Sequence, residues 1–213
     1  MDFKVYHVFS KSIVEFRIFN NETEFQRMTD ITWYYQTKKP PIKFSWFNDL
    51  DEKNKHKIKE DIASKDATKL VDIIAYCFMP THVHMVLRQL EEKGISIFMK
   101  NILNSYTRYF NSKHNRKGPL WEGRFKKVEI TNDEQLLHLT RYVHLNPVTA
   151  YLVDKPELWP ASSYREYVAK ENKKGICTFA PVLDIMPDGY KRFTEDQISY
   201  QRELASVTKH LFD

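Results

Sequence analysis

The segment that most constrains this chain runs from Leu70 to Arg88, LVDIIAYCFMPTHVHMVLR. Leu70 to Met79 is almost continuously apolar and rich in branched and aromatic side chains, and it is short enough for a buried strand rather than a helix. Pro80-Thr81 turns the chain. His82 to Arg88 then alternates, so the two runs read as a hairpin of central strands.

The flanking sequence supplies the partners such a hairpin needs. FKVYHVF, residues 3–9, reads as a first strand, and Asn20 or Asn21 followed by Glu24 caps a helix to about Tyr35. Pro40-Pro41 breaks the pattern, and the charged stretch 49–69 reads as an exposed helix or a mobile excursion without chemistry. Ile95 to Phe110 has helical spacing, and Asn115-Arg116-Lys117-Gly118-Pro119 is a loop. Trp121 to Ile130 is expected to be a strand carrying Arg124, Lys126 and Lys127 on one face. Asn132 or Asp133 caps a last helix, from about Glu134 to Leu145, stopped by Pro147. This order predicts an α+β, ferredoxin-like (RRM-like) antiparallel sheet with helices packed on one face, plus one additional helix.

With 213 residues, 42% of them hydrophobic, one sizeable core is affordable, and the expected division is a domain over 1–170 with an extension over 171–213. Phe179, Val182, Leu183 and Ile185 should pack that extension onto the domain. The first twenty residues form neither a signal-peptide core nor a membrane-length run, which predicts a cytoplasmic protein with no membrane partner. Cys77 and Cys177, far apart and in no CxxC pair, read as free thiols.

The net charge is +5, and its distribution says more than its size. Lys100 to Lys127 holds Lys100, Arg108, Lys113, Arg116, Lys117, Arg124, Lys126 and Lys127 against Glu122 alone. Tyr106, Tyr109, Phe110, Trp121 and Phe125 are interleaved, a mixture suited to phosphate neutralisation and base stacking, although a solvated helix face gives the same pattern. Arg108, Arg116, Lys117, Arg124, Lys126 and Lys127 are the candidate nucleic-acid contacts, with Trp121 either stacking on a base or packing in the core.

Two short constellations carry candidate chemistry. His82 and His84, two residues apart on a strand, project side by side while Val83 enters the core, and two imidazoles so placed can hold a divalent metal. In a chain with eight histidines such a pair also arises by chance. Tyr142 and Asn146 share one helix face, where a phenol can attack phosphorus and an amide oxygen can complete a metal's coordination; an aromatic core position beside a helix C-cap is the structural alternative. His144 falls on another face and reads as a surface or DNA-contacting residue, and His7 as a packed strand histidine or an approach to the site from the neighbouring strand.

Four blocks in order, Phe78-Met79-Pro80-Thr81-His82-Val83-His84, Gly118-Pro119-Leu120-Trp121-Glu122-Gly123-Arg124-Phe125, Arg141-Tyr142-Val143-His144-Leu145-Asn146-Pro147-Val148 and Trp159-Pro160-Ala161-Ser162-Ser163-Tyr164, resemble the HUH single-tyrosine transposases, especially the REP-associated branch. The resemblance spans about residues 3–166. It implies an HUH-endonuclease fold, Mg2+ or Mn2+ held by His82, His84 and Asn146, Tyr142 as nucleophile, and hairpin DNA with a short flanking single strand as substrate. The activity implied is a DNA endonuclease and strand-transferase working through a 5′-phosphotyrosine. The family's usual residues are replaced by Thr81 (Asn), Glu122 (Gln), Thr149 (Arg) and Tyr151 (Gly), which bear on DNA contacts more than on chemistry. A rolling-circle initiator or relaxase, a domesticated protein and a non-catalytic nucleic-acid-binding module share these features. The resemblance also leaves open a homodimer, with the active site built in cis or in trans.

Overall fold

The computed structural model describes residues 4–64, 68–169 and 175–212, and beyond residue 205 the backbone alone. The expected strand start at Phe3, residues 65–67 of the charged stretch and the expected domain boundary at 170 lie outside the described residues.

Four strands, β1 (Val5–Lys11), β2 (Val71–Met79), β3 (His82–Gln89) and β4 (Lys126–Ile130), form one sheet in the order β2-β3-β1-β4 with every neighbouring pair antiparallel. This is the ferredoxin-like order predicted. The helices α1 (Glu22–Tyr34) and α4 (Gly94–Lys113) share one face, over Val8, Val83 and Met85. The additional helix α5 (Asp133–Thr149) takes the other, joined there by α6 (Tyr164–Val168) and α7 (Pro187–Glu195) around Ile74, Val86, Val143 and Tyr190. Phe179, Val182, Leu183 and Ile185 join this second cluster.

Layers on both faces explain why β2 carries no polar alternation: all nine of its residues are buried. A bulge between Ile73 and Ala75 shifts its parity, so Val71 and Ile73 face the α1/α4 core, as do Tyr76 and Phe78 after it. The Pro80-Thr81 turn is anchored by backbone bonds from Ile18 N (2.8 Å) and Phe19 N (3.2 Å) to Pro80 O, and from Ser12 N to Thr81 O (2.8 Å). The start of β3 is therefore fixed from three directions.

The charged stretch is helical over α3 (Glu52–Ala63), which buries Ile62 alone, and α2 (Phe44–Asp49), just before it, buries Phe44 and Phe47. Two expectations need correcting. β4 begins at Lys126 rather than near Trp121, and strand alternation sets Lys126 and Lys127 on opposite faces: Lys126 is opposite Phe9, while Lys127 is opposite Val8 with its ammonium 4.5 Å from the Tyr6 ring. α5 does not stop before Pro147 but carries it inside its last turn, where only Val143 O loses an intrahelical donor.

A buried carboxylate ties α1 to α4. Glu24 accepts from Asn20 N (2.7 Å) and Asn20 Nδ2 (3.0 Å), and lies 3.0 Å from Lys113 Nζ and 2.7 Å from His114 Nε2. Burial alone would raise its pKa; the Asn20 backbone bond and the His114, Lys113 and Asn20 side chains together outweigh burial and hold it at about 2. A depressed carboxylate pKa stabilises the fold above the unfolded value of 4.5, and that stability is lost as pH falls from 4.5 towards 2. The shift corresponds to about 3 kcal/mol. Acid titration of unfolding should show this loss in the wild type and a flatter profile over the same window in Glu24→Gln.

Candidate active site

β1 and β3 are neighbours, and their register sets Phe9 opposite His84 and Lys11 opposite His82. Side chains of paired residues share a face, so His7, Phe9 and Lys11 join His82 and His84 on the side covered by α5. Val83 is fully buried on the opposite side, as the alternation predicts.

The imidazoles form a small cluster. The His82 and His84 rings are 5.0 Å apart and nearly perpendicular; His7 stacks on His84 at 5.2 Å. His7 Nε2 lies 3.0 Å from His84 Nδ1, and Thr81 Oγ1 lies 3.0 Å from His82 Nδ1. Each Nδ1 is thus engaged, and neither Nε2 has a hydrogen-bond partner among the described residues. Burial lowers the pKa of all three, to about 4 for His82 and about 3 for His84, with Lys11 adding repulsion at both. These rings are neutral at pH 7 and keep a lone pair for a ligand.

The phenol is brought over the cluster by α5. Asn132 caps the helix by accepting from Gln135 N (2.8 Å), and Gln135 Oε1 returns a bond from Thr131 N (2.9 Å). Leu136, Thr140, Val143 and Pro147 form its buried stripe, which leaves Tyr142 and Asn146 on the flank facing the histidines. The Tyr142 ring meets His84 edge-on at 5.7 Å and His7 at 6.2 Å, yet remains 43% exposed, open to a macromolecular substrate. Burial raises its pKa and the Asn146 side chain opposes that shift. Asn146 Nδ2 donates to Tyr142 O (2.9 Å), which leaves its Oδ1 to accept or to coordinate. At the far end of α5, Arg202 of the C-terminal helix α8 (Ile198–Phe212) donates to Val148 O (3.1 Å) and Val153 O (3.2 Å).

His144 is not at the surface. It is fully buried, with Nδ1 2.7 Å from Tyr190 Oη and Nε2 2.7 Å from Ser163 Oγ, because the segment after Trp159 packs over the helix face that looked free. Trp121 is also unavailable for stacking: it is 9% exposed, and its indole N–H reaches Thr107 Oγ1 (3.1 Å) and Leu103 O (3.3 Å). Arg116 is spent in part on its own loop, donating to Pro119 O (2.8 Å) and Asn111 Oδ1 (3.1 Å), while Lys117 beside it is exposed. Arg124 and Lys126 line a cleft of about 300 Å³ with Phe9 and Lys11, next to the histidines. Arg108 is exposed on α4, across the sheet from them.

His7 and Lys11 are the site neighbours that sequence reasoning left ambiguous or missed. The signal was the period of two in His7-Phe9-Lys11, usable only once β1 is known to lie beside β3. Among the described residues, no group of three or more His, Cys, Asp or Glu side chains is arranged to hold a metal ion. Both cysteines are free. No helix among the described residues is long and apolar enough to cross a membrane.

The chain is 26% identical over 110 residues to a curated Haemophilus influenzae protein named as a REP-associated tyrosine transposase, a match covering 47% of this chain and 62% of that relative's length. Its fold matches a REP-associated tyrosine transposase solved bound to a REP hairpin, with a TM-score of 0.51 at 16% identity, covering 87% of this chain and 94% of the other. The family model described as transposase IS200-like matches residues 42–146, a span holding His82, His84, Tyr142 and Asn146. Over that span the chain is similar to the IS200-like transposase family.

Proposed function

We propose that this protein is a metal-dependent endonuclease and strand-transferase for single-stranded DNA, acting at hairpin or repeat sequences through Tyr142. The observation that carries this reading is an accessible phenol edge-on to His84, which with His82 forms a neutral imidazole pair whose Nε2 atoms are both unengaged among the described residues. The relative solved with a REP hairpin supports hairpin DNA as the substrate class.

The donor set fits Mg2+ or Mn2+ completed by phosphate oxygens, with His82, His84 and Asn146 as the protein ligands. Coordination through Nε2 requires each Nδ1 to carry the proton, donated by His84 to His7 and by His82 to Thr81. When bound, the cation supplies charge stabilisation at a non-bridging oxygen of the scissile phosphate. Tyr142 Oη forms the new bond to phosphorus as the bond to the 3′ oxygen breaks, and that oxygen leaves as a 3′ hydroxyl with the proton lost by the phenol in the net balance. The 5′-phosphotyrosine keeps one phosphodiester for the one consumed, so another 3′ hydroxyl can reverse the step without ATP.

The test is incubation with labelled hairpin oligonucleotides carrying single-stranded flanks, followed by denaturation. A covalent protein–DNA band is expected with Mg2+ or Mn2+ and not with chelator. Salt-sensitive binding without a band under any metal would favour a non-catalytic module. Orientation by His7 has its own readout: His7→Ala should lower Mn2+ affinity by roughly 10–100-fold, measured by loss of the free-Mn2+ EPR signal, with the fold intact by circular dichroism.

A further inference from the structure

Across the sheet from Tyr142 lies a second cleft, of about 520 Å³, between α4 and the chain entering α2. Four of its lining residues are cations, Arg27, Lys43, Arg108 and Lys113, and none is acidic. Their states differ. Lys113 is committed to Glu24 at 3.0 Å. The Arg27 guanidinium is clamped between Phe44 (4.5 Å) and Tyr109 (4.9 Å), and its Nε is buried with no hydrogen-bond partner. Asp30 and Asp49 act on Arg27 electrostatically, but neither lines this cleft. Arg108 is exposed and has no ion-pair partner among the described residues. Trp46 is 59% exposed at the rim, with Lys43 Nζ 5.2 Å from its ring.

We propose that this cleft binds a nucleotide of unpaired DNA, with phosphate held by Arg108 and Arg27 and a base against Trp46. The volume is too large for a bare phosphate and suits a nucleotide. The wall combines cations and hydroxyls (Ser105, Ser112) with aromatic surface, which is the chemistry of sequence-tolerant single-strand binding. A strand rather than a free nucleotide is favoured because positive charge continues past the cleft, where exposed Lys117 stands in the loop that follows α4. This gives Arg108 a ligand on the face away from the histidines. The proposal shares with the function above only that the ligand is DNA, and it needs no chemistry at Tyr142.

The experiment measures binding of a fluorescein-labelled oligothymidylate and of thymidine monophosphate to the full chain over a range of salt. Arg108→Ala and Trp46→Ala should each weaken oligothymidylate binding roughly tenfold, Arg108→Ala with a shallower salt dependence, while the charge-matched control Lys59→Ala on α3 changes neither. Both replaced side chains are exposed, and unchanged thermal unfolding confirms intact variants. Oligothymidylate affinity indifferent to both substitutions overturns the proposal, as does an effect confined to the free nucleotide. Arg108-dependent binding by a protein that forms no covalent adduct supports the cleft and sinks only the tyrosine chemistry. Adduct formation beside binding indifferent to Arg108 and Trp46 does the reverse.

Discussion

Tyr142→Phe is expected to abolish the covalent DNA adduct, by about a thousandfold or more, while leaving DNA binding and stability near wild type. The substitution removes one oxygen and keeps the ring, so the edge contacts with His84 and His7 persist. The ring is 43% exposed, so the change in unfolding free energy should stay within about 0.5 kcal/mol. Electrophoresis after denaturation reads the adduct, and filter binding reads affinity. A non-catalytic module predicts that every activity survives the substitution, so the two readings separate on one gel.

The second large effect is on stability. His144 bridges Ser163 and Tyr190 under α5, and Tyr190 Oη in turn lies 3.1 Å from Thr140 Oγ1. His144→Ala would remove one partner from each of two buried hydroxyls, which keep others (Ser163 Oγ at the Tyr76 backbone, Tyr190 Oη at Thr140), and open a cavity lined by Tyr164, Tyr167 and Tyr190. Each lost hydrogen bond costs about 0.5–1.5 kcal/mol, and the cavity contributes the larger part. A loss of roughly 4 kcal/mol is expected, seen as a fall of about 10 °C in Tm by calorimetry. His144→Ala should also loosen the seat of Tyr142 from below, so adduct yield falls even at temperatures where the variant is folded. A variant with wild-type Tm would mean that water restores both bonds.

Local pattern and long-range packing divide what the sequence made legible. The β2-β3 hairpin was readable because a continuous apolar run can be satisfied only between two layers, and because His82, Val83 and His84 alternate by geometry alone. Tyr142 and Asn146 were readable because helical spacing is local. What failed depended on contacts made elsewhere in the chain. His144 looked exposed because the elements that bury it begin at Ser163. Trp121 stayed open between base stacking and core packing because its indole acceptors, Leu103 and Thr107, come from a helix already passed. Pro147 looked like a stop because a proline's cost is local, whereas its burial beneath the site is not. Lys126 and Lys127 were grouped on one face against the same alternation that was applied correctly to the histidines.

The contact between Tyr142 and His84 joins two side chains of one polypeptide, which predicts a centre assembled in cis for the proposed reaction. On that arrangement dilution should not take the centre apart, and initial cleavage should be first order in protein. Mixing a chain that lacks the phenol with one that lacks an imidazole would restore nothing, since neither copy could lend the missing group without displacing its own helix.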